Sequence, residues 1–393
     1  MTLYYLLNKG WLFCGLLAVL FLSSCAPPQH LKQRFFFPLP VSGVEPKLEY
    51  IDFLQSDKNL QSHLQPNALV KSVLGEYPPV ALFKSPYWIT EISGQRIAVS
   101  DVVMRKVLIL DLRTGEVRQL KNKQEVPYVF EGVMGVASTE AGEILVVDSL
   151  QGTILKFGVD EKLIDVYGGL SVLKFPVGIA VNDRDKLIYV SEVGGHKIAV
   201  FDMSGNLHFK FGVRGNQAGQ FNYPTDVDVD EEGNVYVLDA LNFRVQVFDA
   251  TGHFMYEFGE QGTEAGSFRL PKGLAVSPQG QVYVTDVRAH KVVVFDHLGQ
   301  YLLTFGAKSF AGSGDGVTPG GFVSPRGIAV DAAGSILVVD GMNKMVHRFQ
   351  YLTADYLKAH PVSVEDVYVP PSVSRQLLSP IAPVVDQKEP SDE

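Results

Sequence analysis

Six acidic residues recur along the chain at nearly even intervals. They are Asp101, Asp148, Glu192, Asp239, Asp286 and Asp340, spaced 47, 44, 47, 47 and 54 residues apart. A carboxylate can serve as acid, base, nucleophile or metal ligand, but a catalytic group is needed once, not six times. Four of the acids have a base five residues on: Asp101 has Lys106, Glu192 has Lys197, Asp239 has Arg244 and Asp286 has Lys291. Asp148 and Asp340 have Thr153 and Met345 there. Where a four-residue loop joins two strands, positions i and i+5 face each other across the hairpin. The pattern therefore predicts structural charge pairs, each contributing about 0.2–1 kcal/mol. The acids can also accept from loop N–H groups.

Asp226 and Asp228 are more particular. At the matching places other units carry Gly178 and Ala180, Gly273 and Ala275, and Gly327 and Ala329. Buried carboxylates need water, donors or a cation. The functional reading is a cation or polar-ligand site; the structural one is a pair held by backbone N–H groups and channel water. No catalytic residue and no cofactor are assigned. If a metal binds, Ca2+ or Zn2+ at Asp226 and Asp228 is the expectation. His196 and His290 share one place in their units, just before the base, which argues for a loop role; His347 lies within a strand. Gly212, Gly215 and Gly219 superficially suggest a phosphate loop. No helix start follows them, and the phrase returns at Gly259, Gly262 and Gly266, so they read as turn residues.

The elements that must position these residues repeat with them. Residues 234–252 read NVYVLDALNFRVQVFDATG, 281–299 read QVYVTDVRAHKVVVFDHLG and 187–205 read LIYVSEVGGHKIAVFDMSG, with looser copies from 96, 143 and 335. Six units with a period in the forties mark a repeat architecture. Each unit reads as four short strands; in the fourth these are 225–230, 234–239, 244–249 and 253–258. Apolar residues on both strand faces require neighbouring sheets on both sides. A second phrase separates units: FGVRGNQAGQFNYP at 211–224 and FGEQGTEAGSFRLP at 258–271.

Taken together, units and connectors resemble the NHL-repeat family of β-propellers over about residues 86–350. The resemblance implies an all-β, six-bladed β-propeller of four-stranded antiparallel blades. Unit six lacks a fourth strand, and residues 47–54 (KLEYIDFL) are expected to supply it, so that an N-terminal strand closes the ring. One NHL-like enzyme, which cleaves peptidyl-hydroxyglycine, uses zinc held by histidines of different blades. Here two of six units offer His at a common place.

At the start of the chain, Lys9 precedes an apolar run at 11–22, too short to span a bilayer comfortably. The sequence LSSC ending at Cys25 resembles the lipobox of bacterial lipoproteins. That resemblance implies cleavage before Cys25, acylation of Cys25, and sorting to the outer membrane facing the periplasm. The expected organisation is a signal peptide at 1–24, a tether at 25–45, the propeller at 46–357 and a Pro-rich flexible tail at 358–393. Formal net charge is −9, which disfavours nucleic-acid partners. The expected function is a lipid-anchored, periplasm-facing scaffold that binds a protein or an extracytoplasmic ligand without catalysis. The alternative is a propeller-type lyase or lactonase with a metal or an axial acid and His cluster in the tunnel. Residues 308–321, longer than the sister connectors, are a candidate partner loop.

Overall fold

Runs of Val, Ile, Phe and Tyr broken by Gly-centred turns make short strands and tight hairpins. The computed structural model describes residues 33–38, 45–61, 78–93, 95–311, 317–363 and 365–369. Among them, blades one to five are four-stranded antiparallel sheets. Blade four comprises Pro224–Val229, Val235–Asp239, Arg244–Phe248 and Phe254–Phe258, within a residue or two of the strands expected. The inner strands touch in ring order, and the sixth (Pro325–Val330) contacts the first (Pro86–Ile92), so the ring is closed.

Closure uses the segment expected from sequence. Leu48–Leu54 pairs with Met345–Tyr351, the third strand of blade six, from Leu48 opposite Tyr351 to Leu54 opposite Val346. A fifth strand, Phe35–Phe37, adds outside it. This corrects the expected boundaries. Residues 33–38 fall within the expected tether at 25–45, and 358–369 within the expected flexible tail at 358–393. Instead Arg34 bridges Val367, and Phe36, Leu352, Leu357 and Val367 form a small buried cluster beside blade six. Arg34 forks onto both oxygens of Glu49 at 2.6 Å, and Tyr356 donates to the same carboxylate. The expected signal peptide, Cys25 and residues 370–393 lie outside the described residues. Among those described, no helix is long and apolar enough to cross a membrane.

Stability comes from the seams. Six buried clusters lie between successive blades; one joins Trp88 and Ile109 of blade one to Val136 and Val146 of blade two, and another joins Leu337 and Val339 of blade six to Ile97 and Val99 of blade one. Each seam is plugged by a buried residue three positions before the inner strand: Phe83, Phe130, Leu173, Phe221, Phe268 and Phe322. Burying one such side chain contributes about 1.5–3 kcal/mol. The connector glycines make room for the plugs. Gly212 and Gly259 sit at φ 90° and 87°, and a Cβ on either would strike Phe221 or Phe268. The Gly-rich phrase is thus structural, as its repetition implied.

Candidate functional site

The repeating acids hold loops rather than substrates. Each faces the residue five places on, as expected: Asp101 opposite Lys106, Asp148 opposite Thr153, Glu192 opposite Lys197, Asp239 opposite Arg244, Asp286 opposite Lys291 and Asp340 opposite Met345. The charge pairs do not follow from that register. Only Arg244 reaches its acid, with Nε 3.0 Å from Asp239 Oδ2. The carboxylates instead accept backbone N–H groups. Asp286 takes those of Arg269 and Leu270 in the connector and of Arg288 and Ala289 in its own loop. Asp101 and Asp148 make the same four contacts in their blades. In five of the six blades the aspartate thereby ties the upper loop to the connector that enters its blade. Glu192, one methylene longer, takes Lys210 instead.

The histidines are also structural. His196 and His290 occupy the left-handed region at φ 53° and 57°, as Arg105, Phe243 and Lys344 do in their blades. His196 Nδ1 accepts the Tyr223 N–H, and His290 Nδ1 donates to the Val323 carbonyl. His347 is fully buried beside Tyr50 and Phe322 in the seam between blades five and six, and burial pushes its pKa down to about 3, so the ring is neutral. Among the described residues no group of three or more His, Cys, Asp or Glu could share a metal ion.

Asp226 and Asp228 line the central tunnel, a cavity of about 260 Å³. Among the described residues no histidine borders it. Inner strands of adjacent blades lie too close for a side chain at most seams. A Cβ on Gly178 would sit 2.7 Å from the Asp226 Cα, and one on Gly327 would sit 2.7 Å from the Trp88 Cα. Blade one carries Trp88 at this place, and blade four carries two acids, Asp226 and Asp228, both of which clamp blade five. Asp226 accepts the N–H of Leu274 at 2.8 Å and of Val227 at 2.9 Å; Asp228 accepts those of Val276 and Val229 at the same distances. The inner-strand edge of blade five thereby gains acceptors for two of its amides. Burial pushes Asp228 up to about 6 and Asp226 well above the usual carboxylate range, against the pull of those amides.

A raised folded-state pKa contributes stability that is full below the unfolded value and is lost as pH rises through the folded one. Asp228→Ala, the residue found at the sister positions 180, 275 and 329, removes that term together with two hydrogen bonds. Its deficit in melting temperature relative to the native chain should be larger at pH 4 than at pH 7. Thermal scans of both proteins at the two pH values test this, and a pH-independent difference would refute it.

Sequence reasoning missed two further features. At the lower tunnel mouth Glu91 borders both the tunnel and a cavity of about 640 Å³ between blades six and one, with Asp331 and the Asp52–Arg348 ion pair. Burial, aided by Asp331, pushes Glu91 up to about 7. The upper face is apolar where loops are usually polar. Val103, Leu150, Leu241 and Met342 are exposed in the loops between second and third strands, and Phe175, Tyr223 and Leu270 are exposed just before the inner-strand prolines. The signal was present in the sequence as apolar residues at turn positions. The candidate partner loop rises from the same face. Asn343 clamps its base by donating to the Ser309 carbonyl and accepting the Ala311 N–H, while 312–316 lie outside the described residues.

Comparison with known proteins matches the NHL-repeat model to residues 221–248 and 268–295. These segments are the plug and first three strands of blades four and five. The chain is a six-bladed propeller with NHL repeats in blades four and five. Solved structures share the fold. A streptogramin B lyase is 15% identical over 68% of this chain and 94% of its own, with a TM-score of 0.52. A Bacteroides thetaiotaomicron protein of unknown function is 17% identical over 69% of this chain and 70% of its own, with a TM-score of 0.56. An inactive virginiamycin B lyase from Staphylococcus aureus, solved with quinupristin, is 14% identical over 68% and 95%, with a TM-score of 0.51. At such identities the likeness to this chain concerns the fold alone. No curated protein matches it.

Proposed function

We propose that this NHL propeller is a lipid-anchored, periplasm-facing scaffold whose upper face recognises a protein partner, with no bond made or broken. The exposed apolar upper face carries the reading. Isolated exposed apolar residues are ordinary, and the outer strands have some. On the upper face, however, Tyr223, Leu241 and Leu270 share one groove with Tyr87 and Val287. Contiguous apolar surface on a rigid scaffold is what a protein interface needs. The acid bolts keep the loops that carry it from spreading. Anchoring rests on the lipobox-like sequence ending at Cys25, which would hold the ring near the membrane through acyl chains.

The test is cross-linking in the native envelope, comparing the native chain with Leu150→Ser, Phe175→Ser and Met342→Ser combined. Partner recovery should fall by about tenfold, as expected when interface anchors are lost. The melting temperature should stay within about 2 °C, because surface changes cost little stability. Cys25→Ser should release the protein from the membrane fraction. Undiminished partner recovery by the triple variant would overturn the platform reading, and continued membrane retention of Cys25→Ser would overturn the anchoring.

A further inference from the structure

We infer that the upper tunnel mouth holds a binding site for a small organic anion with an aromatic or aliphatic body. A cavity of about 290 Å³ opens there between blades one, four, five and six. Its walls are apolar, formed by Tyr87, Tyr223, Leu241, Leu270 and Val287, but two cations enter it, Lys272 and Arg326. Both are the second residue of an inner strand, a place where blades one, three and four carry Tyr87, Val177 and Thr225.

Arg326 is held in place before any ligand arrives. Its Nε donates to Ser324 Oγ at 3.2 Å, and its guanidinium carbon lies 4.4 Å from the centre of the Tyr87 ring. Gly341 leaves it room, since a Cβ there would come within 2.9 Å of Nε. Among the described residues neither Lys272 nor Arg326 makes a direct ion pair, although Lys272 lies within electrostatic reach of the buried Asp226. The acids of this face are already engaged. Asp286 and Asp340 spend both oxygens on backbone amides, and Asp226 turns its carboxyl onto Val227 and Leu274. Two cations that make no direct ion pair, beside an apolar wall, complement a carboxylate or sulfonate on a ring. The planar guanidinium suits two-point binding of such a group. The volume is at the low end for ligand pockets, about 300 Å³ and upward, so one small ring system fits.

This site lies in the groove that the platform reading also uses but does not depend on that reading, because the probes need no partner protein. Calorimetric titration of the mature chain with 2-naphthoate should give one saturable site. The uncharged 2-naphthamide, with the same body, should bind at least about tenfold more weakly, since a hydrogen bond to a charged group is at stake. Lys272→Gln and Arg326→Gln should each weaken naphthoate by about tenfold and leave naphthamide unchanged. Lys272 is only partly buried and its side chain makes no hydrogen bond or ion pair among the described residues, so its variant should stay folded and decisive even if Arg326→Gln does not. Equal affinity for the two compounds, absence of saturable naphthoate binding, or indifference to Lys272→Gln would overturn the assignment.

Discussion

A chain that begins at Gln55 is expected to lose cooperative unfolding altogether. The deletion removes Leu48–Leu54, the strand that makes blade six four-deep and closes the ring. Leu48 and Leu54 are buried to 0% and 2% exposure, and returning them to water costs about 3–6 kcal/mol together. Tyr50 leaves as well, with its contact to His347 Nδ1 and its packing on Phe349. Asp52 leaves Arg348 without its two-point partner. The new edge, Met345–Tyr351, then presents unpaired amides to solvent and to other chains. A typical domain is stable by only about 5–15 kcal/mol, so these losses consume most of the margin. The neighbouring seams make the effect global, because each blade covers its oily faces only with the next. Calorimetry should show no sharp transition, and adding a peptide of residues 33–54 should restore one. A truncated chain melting within about 5 °C of the full one would show that the ring does not depend on this closure.

That strand was readable because its apolar alternation stood outside every unit while unit six lacked a partner. The blades were readable for a similar reason, since a repeated hairpin leaves six copies of one pattern. What the sequence hid was set by contacts between distant residues. Arg34 pairing with Glu49 and bridging Val367 leaves no local mark, so the packed flanks read from sequence as a tether and a tail. The acids misled in another way. Their register and their loop donors were legible from spacing, but their other two donors lie sixteen and seventeen residues upstream, in connectors whose course only the fold defines. Asp226 and Asp228 were visible as departures from the Gly and Ala of sister blades; that they clamp the next blade was not. Lys272 and Arg326 carry no mark in the sequence, because nothing local says that an apolar groove lies beside them.

The same acids supply the second large effect. Asp286→Ala should destabilise the propeller by about 2–4 kcal/mol, whereas Lys291→Ala should cost less than about 0.5 kcal/mol. The register places Lys291 opposite Asp286, so a charge-pair account ranks the two changes together. The hydrogen bonds rank them apart. Asp286 is fully buried and accepts four amides, two of which fix the connector to the blade. Alanine leaves all four without an acceptor, although water can reach the two in the loop. Asp286→Asn keeps one acceptor oxygen and should fall between. Blade four supplies the contrast. There Arg244 does reach Asp239, and it also donates to Glu257 and to the carbonyls of Gln217 and Gln220. Arg244→Ala therefore strips a buried network and should cost about 2–3 kcal/mol, several times the Lys291 change at the sister position. Urea unfolding at pH 7 separates the accounts. A Lys291→Ala cost matching that of Asp286→Ala would return the acids to charge pairing, and equal costs for Lys291→Ala and Arg244→Ala would deny blade four its special bolt.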